Sequence, residues 1–443
     1  MSKNQPDAFS RDLRHGIRGG SGEPATDTSK QHPTDMVRLG LDPHRGQWFD
    51  LSLAELGQHV FIPGASGTGK STTIGRIADG CMQAGWGVVI LDCKGSGLGA
   101  TARALAMQHR VPLNYLDPNN PDSMGFNPCT GDGPAVANKL VGAFSFADNA
   151  EIYENISMNV LSVTVDALRS IERPVTIDSL AKILGTRGGL TELAKAVDSP
   201  AKEELIRLGI ATGLTKTGID GMAARLRALA SGRFGNVLRA EPALDWNKTT
   251  NSQQVTFFAL SSTAASRDVN LLGRVIAQDI KQLCDRRLRA SQSEPQQPLL
   301  LIVDEFAVLN EARQFVDLLL QARQARISLV LATQLLPTDE VIRKSVVQSG
   351  VLILHRVEAE DAAKLATQLG THTVTEHSWS PAQTPDETDH ISIRLVEKFT
   401  VSPNELRRLH RPGLAVVMSV ATQRHATVQI LPFDFTNRQK SIG

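Results

Sequence analysis

Residues Gly64-Ala65-Ser66-Gly67-Thr68-Gly69-Lys70-Ser71 spell GxxxxGK[ST], a pattern that restricts the chain to folds placing a glycine-rich loop between a strand and a helix. The flanks fit that demand. The apolar run His59-Val60-Phe61-Ile62 precedes the loop, and Thr72 to Ala84 carries Ile74, Ile77 and Cys81 at helical spacing, with Gly85 as a stop. Glycines let backbone N–H groups turn inward around phosphate oxygens, and the new helix directs its positive end at them. Lys70 is expected to reach the β- and γ-phosphates, and Ser71 to offer a hydroxyl to Mg²⁺. The alternative is a glycine-rich turn that binds nothing, which the strand–loop–helix context disfavours.

With 443 residues the chain is too long for one simple core. A net charge of +1 means that any nucleic-acid surface must be a local patch. Cys81, Cys93, Cys129 and Cys284 lack CxxC spacing and read as buried thiols, neither a disulfide framework nor a zinc site. No apolar run approaches the roughly 18 to 20 residues of a membrane span. The expected location is the cytoplasm, with any membrane association made through partners.

Residues 1–34 are rich in Ser, Gly, Pro, Asp and Lys without periodicity and read as a disordered tail. Order is expected near Met36, with a β-rich lead-in to Leu53. Gly87 to Asp92 and Leu113 to Asp117 read as strands of a parallel sheet, separated by a helix from Leu98 to Gln108. After Phe126-Asn127-Pro128 the pattern becomes helical, with apolar stripes such as Ile152, Ile156, Val160 and Val163. Sheet character resumes at Val255 to Leu260, Leu299 to Asp304, Ile327 to Ala332 and Val351 to His355. Residues 375–390 read as polar and irregular, and Leu414 to Val420 with Thr427 to Leu431 as a closing hairpin or edge strands. The expected organisation is therefore a tail (1–34), a first part of the α/β domain (35–130), an inserted all-α domain (131–245) and a second part with a C-terminal β segment (246–443).

Leu299 to Val303 ends in Asp304-Glu305. Phosphoryl transfer needs one carboxylate at a strand's carboxyl end for Mg²⁺ and a second to polarise the attacking water. Asp304 is assigned to the metal, alongside Ser71, and Glu305 to the water. Gln334, ending the next strand, is placed to hydrogen-bond the γ-phosphate or that water. Arg323 lies between the two elements, where it reads either as a partner of a helix C-terminus or as a cation offered to a neighbouring subunit.

Together these residues resemble the FtsK–HerA superfamily of ring-forming DNA translocases, and most of all the TraG/TraD-type coupling proteins of conjugation and type IV secretion. The matching stretches are Gly64 to Ser71, Ile90-Leu91-Asp92-Cys93-Lys94-Gly95, Phe126-Asn127-Pro128, Ile302 to Phe306, Ala332-Thr333-Gln334 and Arg394 to Leu406. The resemblance implies a RecA-like P-loop NTPase core with a parallel sheet, an inserted all-α domain and a C-terminal β-rich closing segment. It implies ATP and Mg²⁺ as cofactors, held by Gly64 to Ser71 and Thr72, with Lys70, Asp304, Glu305 and Gln334 catalytic. It places an arginine finger at Arg323, eleven residues before Gln334, and makes Arg356 a second interface candidate.

The implied partners are DNA, further copies of the chain in a ring (a hexamer), a relaxase complex and a separate membrane or channel subunit. Coupling proteins usually carry N-terminal membrane helices, which this sequence lacks; a soluble intracellular DNA translocase and a protein-secretion ATPase therefore stay open as alternatives. So does a scaffold that binds ATP without hydrolysing it, against which the Asp304, Glu305 and Gln334 set counts. Candidate DNA contacts are Arg225, Arg227, Arg233 and Arg239, then Arg286, Arg287 and Arg289, and Lys94 with Ser96 on a loop facing a pore; a solvated face is an equal reading of each. An aromatic content of 5% argues against base stacking as the main grip.

Overall fold

The computed structural model describes residues 35–95, 97–144, 146, 151–260, 266–290, 296–309, 313–380 and 390–433. The expectations for the N-terminal tail and for Ser96 fall outside them. The described strands are β1 (Met36–Asp42), β2 (Gln47–Ser52), β3 (Val60–Pro63), β4 (Gly87–Asp92), β5 (Leu113–Leu116), β6 (Val255–Ala259), β7 (Leu299–Asp304), β8 (Ile327–Thr333), β9 (Val351–Leu354), β10 (Thr371–Ser380), β11 (His390–Phe399), β12 (Leu414–Ser419) and β13 (Arg424–Ile430). Eleven of them form one sheet in the order β2-β1-β13-β12-β9-β3-β8-β7-β4-β6-β5. From β9 to β5 every pairing is parallel; from β9 outward to β2 every pairing is antiparallel.

Strands β3, β4, β7, β8 and β9 are buried at every residue, as continuous apolar runs require when helices cover both faces of a parallel sheet. Their side chains alternate between two cores with the period of two that a pleat imposes. Val60, Ile62, Leu300, Ile302, Val330 and Ala332 face one side, where the Lys70–Gln83 helix supplies Ile74, Ile77 and Cys81 and the Leu98–His109 helix supplies Leu105. Phe61, Leu301, Val303, Leu329 and Leu331 face the other, against Val275 of the Ser266–Arg289 helix and Leu365 of the Ala359–Leu369 helix. All four cysteines are buried and free, their thiols pushed above the ordinary range by burial.

Between β5 and β6 the described residues contain helices and one isolated parallel bridge, Gly125 to Ala243. Leu244 N–H donates to the Gly125 carbonyl (2.7 Å) and Phe126 N–H to that of Val237 (2.8 Å). These bonds hold the two ends of the helical stretch together. Asn127 fixes the turn that follows: its side-chain oxygen accepts the Cys129 N–H (3.0 Å) and its amide donates to the Val175 carbonyl (3.0 Å). A buried ion pair joins this helical stretch to the Ser266–Arg289 helix. Lys139, on the Gly133–Ala143 helix, meets Asp279 of the Ser266–Arg289 helix and also donates to the Pro128 carbonyl (2.7 Å), while Trp246 Nε1 donates to Asp279 (3.2 Å).

One expectation needs correction. Of residues 375–390, those described are not irregular: 375–380 belong to β10 and His390 opens β11, which pair through ten residues in a separate two-stranded sheet, while 381–389 lie outside the described residues. Their polar sequence suits strands that pack on little else, with Ile393 and Leu395 largely exposed. Of the two readings of the C-terminal segment, the closing hairpin is the one observed: β12 pairs with β13, and the pair lies inside the sheet between β9 and β1.

Candidate active site

Strand register gathers the predicted residues at one edge. Pro63 of β3 pairs with Thr333 of β8, Ala332 with Asp304 of β7, and Asp304 with Asp92 of β4. The phosphate loop, the Asp304-Glu305 pair, Gln334 and the Asp92-to-Gly95 turn therefore all leave the sheet at its carboxyl ends. This is where ligands bind in open parallel sheets.

The loop Gly64 to Gly69 is fastened on three sides. Gly64 N–H donates to the Thr333 carbonyl (3.0 Å), Ala65 N–H to that of Arg356 (2.7 Å), and Gly413 N–H to that of Thr68 (2.8 Å). Gly69 shows why this position needs glycine: its φ is +107°, and a Cβ there would stand 2.4 Å from the Gly413 nitrogen. The Lys70–Gln83 helix begins at once, with Ser71 exposed on its first turn. Lys70 is buried, its ammonium donating to the loop carbonyls of Gly64 and Ala65 (3.1 Å to the latter). Burial holds its pKa below the lysine range; Glu305 and Asp304 pull it back up and Lys94 presses it down.

Glu305 occupies a left-handed backbone conformation, φ +59°, that costs a non-glycine residue and recurs at functional sites. One carboxylate oxygen accepts the Gln334 N–H (3.0 Å) and the Thr333 hydroxyl (3.2 Å). The other, Oε2, is buried without a hydrogen-bond partner. A buried carboxylate oxygen left unbonded is costly in isolation and suits a site that receives a polar group. Asp304 is 3% exposed, and its carbonyl accepts the Cys93 N–H (3.2 Å).

Gln334 is half-buried beside Glu305. Arg323 stands elsewhere. It is exposed at the opposite, amino edge of the sheet, beside Arg326, Trp86 and Gly57. The length of β8 separates it from the phosphate loop by roughly 20 Å. Arg356 lies at the loop, half-buried, and reaches it through its backbone.

The sequence reading missed His355. It is buried next to Lys70, its Nε2 lies 2.9 Å from the hydroxyl of Thr73, and burial together with the Lys70 charge lowers its pKa to about 4. Its neutral ring braces the helix that starts at Lys70. A histidine at a strand end carries no spacing signal, so only the packing shows it.

Several proposed DNA contacts are engaged within the fold. Arg287 is buried, donating to the carbonyls of Ala325 (3.0 Å) and Thr250 (2.8 Å), and serves packing in place of DNA. Arg239 pairs with Asp178 (2.6 Å), and Arg225 lies over the Phe146 ring at 4.6 Å. Lys94 lies beside the phosphate loop, its ammonium 3.5 Å from the Ser66 hydroxyl.

The family model for the type IV secretion-system coupling protein DNA-binding domain matches residues 51–430, nearly the whole described chain. The chain belongs to this coupling-protein family. Solved structures agree on the coupling-protein fold. The unbound monoclinic form of the bacterial conjugative coupling protein TrwBdeltaN70 is similar over 91% of this chain and 90% of its own, with 17% identity and a TM-score of 0.67. TrwB in complex with ADP and Mg²⁺ is similar over 88% of each chain, with 18% identity and a TM-score of 0.63. VirB4 of Thermoanaerobacter pseudethanolicus is similar over 89% of this chain and 96% of its own, with 13% identity and a TM-score of 0.55. No curated protein matches the chain. Among the described residues no helix is long and apolar enough to cross a membrane.

Proposed function

We propose that this coupling protein binds ATP with Mg²⁺ at the Gly64–Ser71 loop and hydrolyses it to move DNA toward a conjugative or type IV secretion apparatus, working as a ring of identical subunits, a hexamer. The observation that carries the reading is the single edge at which Lys70, Asp304, Glu305 and Gln334 converge, with Glu305 Oε2 buried and unbonded. Membership of a DNA-binding coupling-protein family supplies the cargo, and the nucleotide complex of TrwB supports the cofactors.

In this reading ATP supplies the phosphoanhydride bond whose cleavage releases the free energy. Lys70 exchanges the loop carbonyls it now holds for phosphate oxygens, at little structural cost, because the loop stays fastened by Thr333, Arg356 and Gly413. The Ser71 hydroxyl and the Asp304 carboxylate hold the cation. Glu305 accepts a proton from the attacking water at Oε2 while its other oxygen stays anchored to Thr333 and Gln334. That anchoring ties the water-polarising group to the backbone N–H of Gln334. Arg323 acts on a neighbour's site, since its own lies at the far edge of the sheet. Residues 131–245 form an inserted unit at one mouth of the ring, consistent with their two ends being bonded together at Gly125 and Leu244.

Turnover of ATP, measured with no DNA, with single-stranded DNA and with double-stranded DNA across a salt series, tests this. Stimulation by DNA that weakens steeply with salt is expected of a motor that tracks phosphates. Turnover indifferent to both forms of DNA would contradict the reading.

A further inference from the structure

We infer that Lys94 is a second cationic contact for the terminal phosphate of the nucleotide, made by the same subunit that supplies Lys70. The inference rests on the nucleotide-site reading above and extends it. Three observations carry it. The first is position: β4 ends beside β7, and Asp92 Oδ1 accepts the N–H groups of Lys94 (3.2 Å) and Gly95 (2.7 Å), folding the turn back over the carboxyl edge of the sheet. The second is the contact itself. Lys94 Nζ lies 3.5 Å from Ser66 Oγ, and no carboxylate is within ion-pairing distance among the described residues. The third is direction. Lys70, the group that reaches β- and γ-phosphates in such loops, points its ammonium at the Gly64 and Ala65 carbonyls, which marks the Gly64–Ser66 half as the terminal-phosphate end. Lys94 meets the loop at that end.

The two ammonium groups repel each other, and the burial of Lys70 sharpens the conflict. A triphosphate placed between them removes it, because the oxygens of its terminal phosphate accept charge-assisted hydrogen bonds from each ammonium group. A diphosphate ends one phosphoryl group short and leaves Lys94 without that partner. Lys94 therefore discriminates the nucleotide before hydrolysis from the one after it. Asp92 serves as the positioning residue, since its carboxylate sets the turn that aims Lys94.

The test uses the full chain and two fluorescent nucleotides with Mg²⁺: a non-hydrolysable ATP analogue and ADP. In Lys94→Ala, affinity for the triphosphate analogue is expected to fall about 10- to 100-fold, the size of a lost charge-assisted contact, while that for ADP falls less than about 3-fold. Lys94→Arg is expected to restore most of the difference. Equal losses for both nucleotides would mean that Lys94 only shapes the loop and would overturn the inference. So would unchanged binding of both, and a reduced salt dependence of DNA binding in that same variant would then return Lys94 to the DNA path. Wild-type protein that binds neither nucleotide would instead defeat the parent reading, and this inference with it.

Discussion

At the residue scale, motifs name the candidate residues and packing shows what surrounds them. Lys70 and Asp304-Glu305 were legible because a cation and paired carboxylates at fixed offsets from glycines and strand ends have few other uses. His355 and the anchoring of Glu305 by Thr333 and Gln334 were not, because both depend on strands adjacent in space and remote in sequence. Glu305→Gln is expected to keep nucleotide affinity while turnover falls at least about 100-fold, as loss of a general base does. Lys70→Ala is expected to lose affinity and turnover together. Steady-state turnover and equilibrium binding on the same preparations separate the two. The buried histidines predict a pH response. His59 is buried, accepting the Leu329 N–H at Nδ1 (3.0 Å) and contacting the Leu319 carbonyl through Nε2 (2.9 Å); burial first, and Arg323 second, lower its pKa to about 4. His355 is lowered similarly. The unfolded chain takes up these protons at about 6.5, so the stabilisation is complete above that pH and is lost as pH falls toward 4. Each histidine contributes about 3 kcal/mol to the change. Glu55 acts in a lower window. Burial opposes its charge, but hydrogen bonds from Ser419, Ser52 and Arg424 prevail and hold it at about 2, so its contribution fades from pH 4.5 downward. Melting temperature against pH should therefore fall in two stages; a flat profile from pH 7 to 4.5 would contradict the assignment of neutral, buried histidines.

At the element scale, continuous apolar runs identified β3, β4, β7, β8 and β9 because a strand covered on both faces tolerates nothing else. The same rule failed for β10, whose polar, largely exposed residues give no continuous apolar run. It also could not order β12 and β13, since no local pattern tells an interior antiparallel strand from an edge. Among the helices, Val160 lies in the core as its stripe requires, but Ile152 at the start of the same stripe is 48% exposed. Lys139 was invisible in sequence, reading as an ordinary helical lysine. Its ion pair with Asp279 joins the helical stretch to the Ser266–Arg289 helix. Lys139→Met leaves Asp279 buried and uncompensated and is expected to destabilise the protein by about 3–5 kcal/mol. Adding Asp279→Asn should recover part of the loss, which denaturant titration of the two single variants and the double variant would reveal. Purely additive losses would show that the pair does not couple the two elements.

At the scale of the whole molecule, the sheet gathers the proposed nucleotide-site groups at its carboxyl edge and exposes two neighbouring arginines, Arg323 and Arg326, at the other. That separation is why an intact site is proposed to need two subunits. Lys70→Ala and Arg323→Ala proteins, each impaired alone, are expected to regain hydrolysis when mixed, because some interfaces then join an intact loop to an intact arginine. If Arg323→Ala alone turns over ATP like wild type, the arginine has no such role. The central claim is that hydrolysis at this edge moves DNA. It is tested most directly by displacement of streptavidin from end-biotinylated DNA, single- and double-stranded, by wild type and by Glu305→Gln. The account predicts displacement that requires ATP and is abolished in Glu305→Gln. Displacement equal in the two proteins, or none by a wild type that is hydrolysing ATP, would contradict it.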